Sequence, residues 1–292
     1  MRCQTNTLED VLLGMVFSQY DEKFRKYHKL SLSILKEFGF GQERVTETRI
    51  LLEVETLNRE LLKQNGRPLD PKWPLTFASS DVVLSILFGN NFHQSLPNDH
   101  SALVKNSIEC ISNMDLTFNV APIVRFLPAY SRMLEGLHTS SERVLRAVEA
   151  GIEFVKSNSS EATFVGRFIE IEGTDYDHTD LVYVLRDLCF AGSETVSTTL
   201  LWAIVELANH PEVLARLQRE IDEMVPADRL PSLDDKPRLP YSEAVKLEVM
   251  RRRSIAPFLV PHATLKDTKL LEYDLPKGCM VSIDWSVFAL IR

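Results

Sequence analysis

Apolar positions recur at steps of three and four along most of this chain, the signature of helices that bury one face. Over 22–37, Phe24, Tyr27, Leu30 and Ile34 fall on one side of such a helix. The same pattern predicts helices over 42–65, ended by Gly66 and Pro68, and over 74–88, closed by Gly89. Further helices are expected over 101–115 and over 140–156, with Ser140 or Ser141 as N-cap. The longest runs over 180–209, roughly 45 Å at 1.5 Å per residue, and helices over 211–224 and 241–252 follow it. Strand signals dominate only after Ser254: a strand at 258–260, then a hairpin around 266–286. The loops Asn158-Ser159-Ser160 and Gly173-Thr174-Asp175 separate helices rather than domains. The expected fold is mainly α with a small β-sheet, built around one long central helix, and the length suggests one large or two ordinary domains.

That long helix carries chemistry unsuited to a plain core helix. Leu181, Leu185, Leu188, Gly192, Thr195, Thr199, Trp202 and Glu206 step by fours and threes along one stripe. Within it lies Phe190-Ala191-Gly192-Ser193-Glu194-Thr195-Val196-Ser197-Thr198-Thr199. Glycine costs a helix roughly 1 kcal/mol against alanine. Ser and Thr hydroxyls can bond back to the preceding turn and bend it. An acid beside an alcohol, Glu194 next to Thr195, suits binding a small molecule and handing it protons. The competing reading is a glycine-containing core helix whose hydroxyls are satisfied internally.

Two further segments add to this. Leu239-Pro240-Tyr241 opens a helix on which Glu248 and Arg251, at i and i+3, share a face and can pair. Glu22 and Arg25 match that spacing too, and most such pairs are solvated surface pairs. Val260-Pro261-His262-Ala263-Thr264 and Leu275-Pro276-Lys277-Gly278 come next, the second a turn entering a strand.

Taken in order, these segments resemble the cytochrome P450 family, of the animal family 2 group that metabolises drugs and steroids. Ala191 to Thr199 resembles the family's oxygen-activation helix, His210-Pro211-Glu212-Val213 the start of the next, and Leu230 to Arg251 the approach to the Glu-x-x-Arg helix. Val260-Pro261-His262-Ala263 resembles the strand under the haem; Leu30-Ser31-Leu32-Ser33, Phe38-Gly39-Phe40-Gly41 and Val124-Arg125-Phe126-Leu127-Pro128 also fit. The resemblance implies a single partial domain of that fold over 1–292, from a haem-thiolate monooxygenase that inserts one atom of dioxygen into a lipophilic substrate: a steroid, terpenoid or xenobiotic. Its implied partners are haem b, NADPH–cytochrome P450 reductase and, for the full-length protein, the cytosolic face of the endoplasmic reticulum membrane.

By the same resemblance Glu194 and Thr195 are the proton-delivery pair, and Ala191 and Gly192 leave room for oxygen. His262 hydrogen-bonds a haem propionate, with an ordinary strand-end histidine as its alternative. Glu248 and Arg251 hold the fold beneath the haem. Phe190, Thr199, Ile255, Ala256, Pro257, Phe258 and Leu259 line the substrate pocket. The family's early Trp-x-x-x-Arg is replaced here by Phe24 and His28. Phe24 has no N–H to donate; His28 can donate but carries a pH-dependent charge, and Lys29 could substitute.

The axial ligand departs further from the pattern. The family ligates iron through a cysteine in a Phe-x-x-Gly-x-x-x-Cys-x-Gly loop, and none of Cys3, Cys110, Cys189 and Cys279 lies in one. The early strands and the apolar anchor of about 20 residues have no counterpart either. The chain is therefore expected to be truncated at both ends and inactive as given; the alternative is a non-catalytic helical protein lacking thiolate ligation.

Composition adds limits. The 292 residues, 45% of them hydrophobic, can form a core. A net charge of −8 argues against nonspecific nucleic-acid binding. Four unpatterned cysteines indicate a reducing, cytosol-facing compartment and no disulfide framework.

Overall fold

In the computed structural model the described residues are 14–16, 18–40, 43–90, 92, 100–112, 128–158, 162–173 and 176–285. They form two compact units, Met1–Ser197 and Thr198–Arg292, the division falling within the long helix.

In the first unit, α1 is Glu22–Glu37, α2 Glu43–Leu62, α3 Lys72–Phe88, α4 His100–Ser112, α5 Pro128–Ser157 and α6 Phe164–Glu172. The long helix α7, His178–Asn209, starts in this unit. Two helix starts in this unit are capped by side chains. The Asp21 carboxylate accepts from Phe24 N at 2.8 Å to open α1, and the Thr163 hydroxyl accepts from Gly166 N at 3.0 Å to open α6. The core gathers Ile34 from α1, Leu87 and Phe88 from α3, Val144, Val148 and Ile152 from α5, Phe164 and Phe168 from α6, and Leu181 and Leu185 from α7. Gly151 is required by one close approach: a Cβ there would lie 2.6 Å from the Phe88 ring.

Two expectations need correction here. The helix expected at 140–156 begins at Pro128, so Ser140 and Ser141 are buried interior residues, not caps. Leu134, Leu137, Val144 and Val148 keep the helical period across Gly136 and the polar residues that follow it. The helix α6 lies between the two loops expected to separate helices, and the structure supplies its bounds.

In the second unit, the end of α7 is followed by α8, Pro211–Met224, a 3₁₀ turn Leu233–Arg238, and α9, Pro240–Arg252. The buried Asp235 organises the turn. Arg229 donates to its two oxygens at 2.6 and 2.7 Å, Ser232 N donates at 2.8 Å, and Arg238 donates as well. Glu220 of α8 caps α9, accepting from Tyr241 N at 2.8 Å and Ser242 N at 2.7 Å. The strands are β1 His262–Ala263, β2 Thr268–Leu270, β3 Tyr273–Leu275 and β4 Met280–Val281. β1 pairs antiparallel with β4, His262 opposite Val281; β2 pairs with β3, Lys269 opposite Asp274.

The strand expected at 258–260 is a turn. Leu259 N donates to Ala256 O at 3.0 Å, and Leu259 has φ of +50°. Pro257 and Pro261 bracket the segment and remove two ladder donors. The expectation of a mainly α fold with little β-structure holds, the strands forming two separate two-stranded sheets, and α5 with 30 residues is nearly as long as α7 with 32.

Candidate active site on the long helix

The helix α7 is unbroken over its 32 residues despite its glycine and hydroxyls. Its hydroxyls bond back along it. Ser193 Oγ donates to Cys189 O at 2.7 Å, Ser197 Oγ to Ser193 O at 3.0 Å, and Thr195 Oγ1 to Ala191 O at 2.8 Å. The buried line runs through Leu181, Leu185, Cys189, Ser193 and Ser197, at steps of four. The expected stripe through Thr195 is displaced from it, and α3 approaches α7 at Gly192 and Ser193. Ser79 Oγ of α3 donates to Ser193 O at 2.8 Å.

Two of the expected site residues are taken up by packing. A Cβ on Gly192 would overlap Val83 Cγ2, so its missing side chain admits α3 rather than a ligand. Phe190 is in the core, with the Arg186 guanidinium 5.7 Å above its ring, and presents no open face. Ala191 and Thr195 lie on the opposite, exposed face of α7, one turn apart, and the Thr195 hydroxyl donates its proton to Ala191 O. Glu194 beside it is half-buried. Burial raises its carboxyl above the ordinary range, and the charge of Lys72 pulls the other way.

The remaining expected residues are placed as follows. His28 is exposed on α1 and stacked on Phe24, ring centroids 5.4 Å apart at 16°. Thr199 is half-buried, in the part of α7 belonging to the second unit. In that unit, His262 is exposed on β1. Glu248 and Arg251 form a two-pronged pair on α9, both contacts 2.7 Å, and that hydrogen bonding holds the Glu248 carboxyl below its ordinary value. Ile255, Ala256, Phe258 and Leu259 are exposed along the turn after α9, and Pro257 is half-buried.

One cluster in the second unit stands outside the expected site residues. Glu206, 6% exposed, receives Arg253 Nε at 2.5 Å and Arg252 Nε at 3.3 Å, and Arg253 lies 4.6 Å over the Trp202 ring. An adjoining cavity of about 350 Å³ is lined by Glu206, Leu207, His210, Tyr241, Val245 and Glu248. The signal in the sequence is an acid within an apolar helix end, together with three consecutive arginines, Arg251 to Arg253.

A haem can be tested against these residues. An open helix face bearing a small residue and a hydroxyl fits the oxygen side of the group. The two cysteines that can be placed do not fit the axial side. Cys189 is buried on the far side of α7 from Thr195, its thiol pushed up to about 12 by burial. Cys279 is half-buried, its Sγ 3.8 Å from the Met280 carbonyl. Cys3 and the Cys110 side chain lie outside the described residues, as do 124–127 of the matching segment.

A helix-rich fold around one long helix with a hydroxyl–acid pair at mid-span defines the class. The sequence profile for cytochrome P450 matches residues 8–288, so the chain belongs to the cytochrome P450 family. Among relatives, cytochrome P450 2C28 of Mesocricetus auratus is 32% identical over 285 residues, covering 91% of this chain and 56% of that protein. Cytochrome P450 2U1 of Homo sapiens is 27% identical over 287 residues, covering 94% and 53%. The chain thus spans little more than half the length of these relatives. A zebra fish cytochrome P450 structure with progesterone superposes with a TM-score of 0.81 at 25% identity, covering 96% of this chain and 67% of that one.

Proposed function

We propose that this chain carries the oxygen-side wall of a haem monooxygenase that inserts one atom of dioxygen into a lipophilic substrate, with electrons from NADPH through a reductase. The observation that carries this reading is the exposed Thr195 hydroxyl, held by Ala191 O at 2.8 Å beside a carboxyl of raised pKa. Haem b, when bound, supplies the redox chemistry and the site for oxygen. Ala191 keeps the α7 face low enough for a diatomic molecule. Thr195 Oγ1, on rotating from Ala191 O, would donate a hydrogen bond to oxygen on that face and pass on a proton that Glu194 replaces. Glu194 is the proton reservoir, since a carboxyl of raised pKa stays protonated closer to neutrality.

His28 and His262 are the donors for the propionates. Glu248 and Arg251 brace α9. Thr199 and the turn from Ile255 to Leu259 line an apolar substrate site, in keeping with the steroid named for the zebra fish structure. Attachment to the endoplasmic reticulum membrane, facing the cytosol, belongs to the same reading.

The experiment is Thr195→Val in a haem-loaded protein whose cysteine loop is supplied from a relative. The reading expects NADPH consumption to persist while product per NADPH falls several-fold; unchanged coupling contradicts it. A second reading, a helical protein that does not ligate haem through a thiolate, is favoured by the poor fit of Cys189 and Cys279 to the axial position. It expects no thiolate-type band in the reduced carbon monoxide difference spectrum of the 292-residue chain, and a clear band from purified protein overturns it.

A further inference from the structure

The ends of α7 and α9 meet at one buried carboxylate in the second unit. Arg253 Nε donates to Glu206 Oε1 at 2.5 Å, and Arg252 Nε lies 3.3 Å from Oε2. His210 Nδ1 lies 3.8 Å from Oε2 and 2.8 Å from the Glu206 carbonyl. The Arg253 guanidinium also stacks 4.6 Å over Trp202, and Arg253 N closes α9 on Val249 O at 2.8 Å. Burying a carboxylate is unfavourable unless charged partners and hydrogen bonds compensate it. Here two guanidiniums from the end of one helix compensate an acid on another, so the acid fixes where α9 stops.

The apolar turn comes directly after Arg253. Its backbone is tied at a second place, where Trp285 N donates to Pro257 O at 2.6 Å and Ser282 Oγ to Phe258 O at 2.8 Å. Its side chains do not hold it in place by packing: Ile255, Phe258, Leu259 and Val260 are 41%, 61%, 40% and 48% exposed. A backbone fixed by polar ties while its apolar side chains face outward is pre-organised to meet an apolar ligand.

We propose that Glu206 is the positioning residue of the 254–260 segment, holding Arg252 and Arg253 so that Ile255, Phe258 and Leu259 meet a lipophilic ligand in one fixed arrangement. Trp202 acts with it by stacking on Arg253. The inference rests on the reading that this segment lines the substrate site.

The test uses hydrogen exchange of the purified chain and binding of pyrene followed by its fluorescence. Glu206→Gln keeps the shape and removes the charge. The expected result is about tenfold faster exchange of amides in 255–260 with α8 amides unchanged, since local opening is read segment by segment. A several-fold weaker pyrene dissociation constant accompanies it. Arg253→Lys, which keeps the charge and loses the stacked planar donor, is the second variant and gives the same pattern if Glu206→Gln fails to fold. Unchanged exchange in 255–260, or equal acceleration in α8, overturns the inference. Phe258→Asp separates the two layers. If it leaves pyrene binding intact while Glu206→Gln still loosens 255–260, the anchor stands and the substrate-lining assignment falls.

Discussion

Thr195 Oγ1 donates to the Ala191 carbonyl oxygen at 2.8 Å, and both residues lie on the face of α7 that the core leaves open. The hydroxyl is therefore oriented without being consumed by packing. Removing it should leave the fold intact. Thr195→Ala is expected to change stability by no more than about 0.5 kcal/mol, as for a surface position, measured by urea denaturation. A larger loss would mean the hydroxyl supports the helix rather than a ligand.

Gly192 and Val83 give the opposite expectation. A Cβ at 192 overlaps Val83 Cγ2, so Gly192→Ala should destabilise the first unit by about 1–3 kcal/mol, the usual range for overpacking. Adding Val83→Ala should recover part of that loss. A neutral Gly192→Ala would show that α3 and α7 are not held this closely.

Glu194 predicts a pH dependence with a definite sign. Burial raises its folded pKa above the ordinary carboxylate value, so the unfolded chain loses this proton first. Stability is then highest below the ordinary carboxylate range and falls as pH rises through the raised value. Glu194→Gln should be more stable than wild type at neutral pH, with the difference vanishing in acid. Denaturation at a series of pH values checks this, and a glutamine variant less stable at neutral pH would contradict it.

Asp235 has the opposite sign. Hydrogen bonds from Arg229 come first among the causes that hold its carboxyl well below the ordinary range. Its contribution is fully present above the ordinary carboxylate value and is lost as pH falls below it. Asp235→Asn should weaken the second unit at neutral pH and flatten its acid-unfolding limb; an unchanged limb would contradict the assignment.

Cysteine reactivity separates the two thiols that can be placed. With its pKa pushed up to about 12, Cys189 should resist iodoacetamide at mildly alkaline pH while the chain is folded. Cys279, half-buried, should be alkylated first. Mass spectrometry of timed samples reads the order, and prompt labelling of Cys189 would show that its burial is transient.

Helix content is legible where apolar period and caps agree. α1, Glu22–Glu37, and α8, Pro211–Met224, fall on their expected bounds, each opened by a recognisable signal, Asp21 and Pro211. Bounds fail where a local cue outvotes the period, as at Ser140, or where an apolar run is bracketed by prolines, as at 258–260. The faces of α7 are not legible. The sequence shows that small residues alternate with larger ones, not which set admits the neighbouring helix, so Gly192 reads as room for a ligand but belongs to the α3 crossing. Pair geometry is equally hidden: Glu22 and Arg25 have the same spacing as Glu248 and Arg251, but approach only to 4.0 Å where the second pair makes two contacts of 2.7 Å. The Glu206 cluster is hidden because its partners stand 46 and 47 positions away.

The most direct test of the oxygen-side assignment is carbon monoxide binding to a haem-loaded protein completed with a relative's cysteine loop, compared with its Ala191→Phe variant. If the Ala191–Thr195 face is the oxygen side, the variant retains its haem and its carbon monoxide association slows, since steric access on the oxygen side governs ligand binding. If association is unchanged with haem content equal, that face of α7 does not look onto the iron, and the proposed roles of Glu194 and Thr195 fall with it.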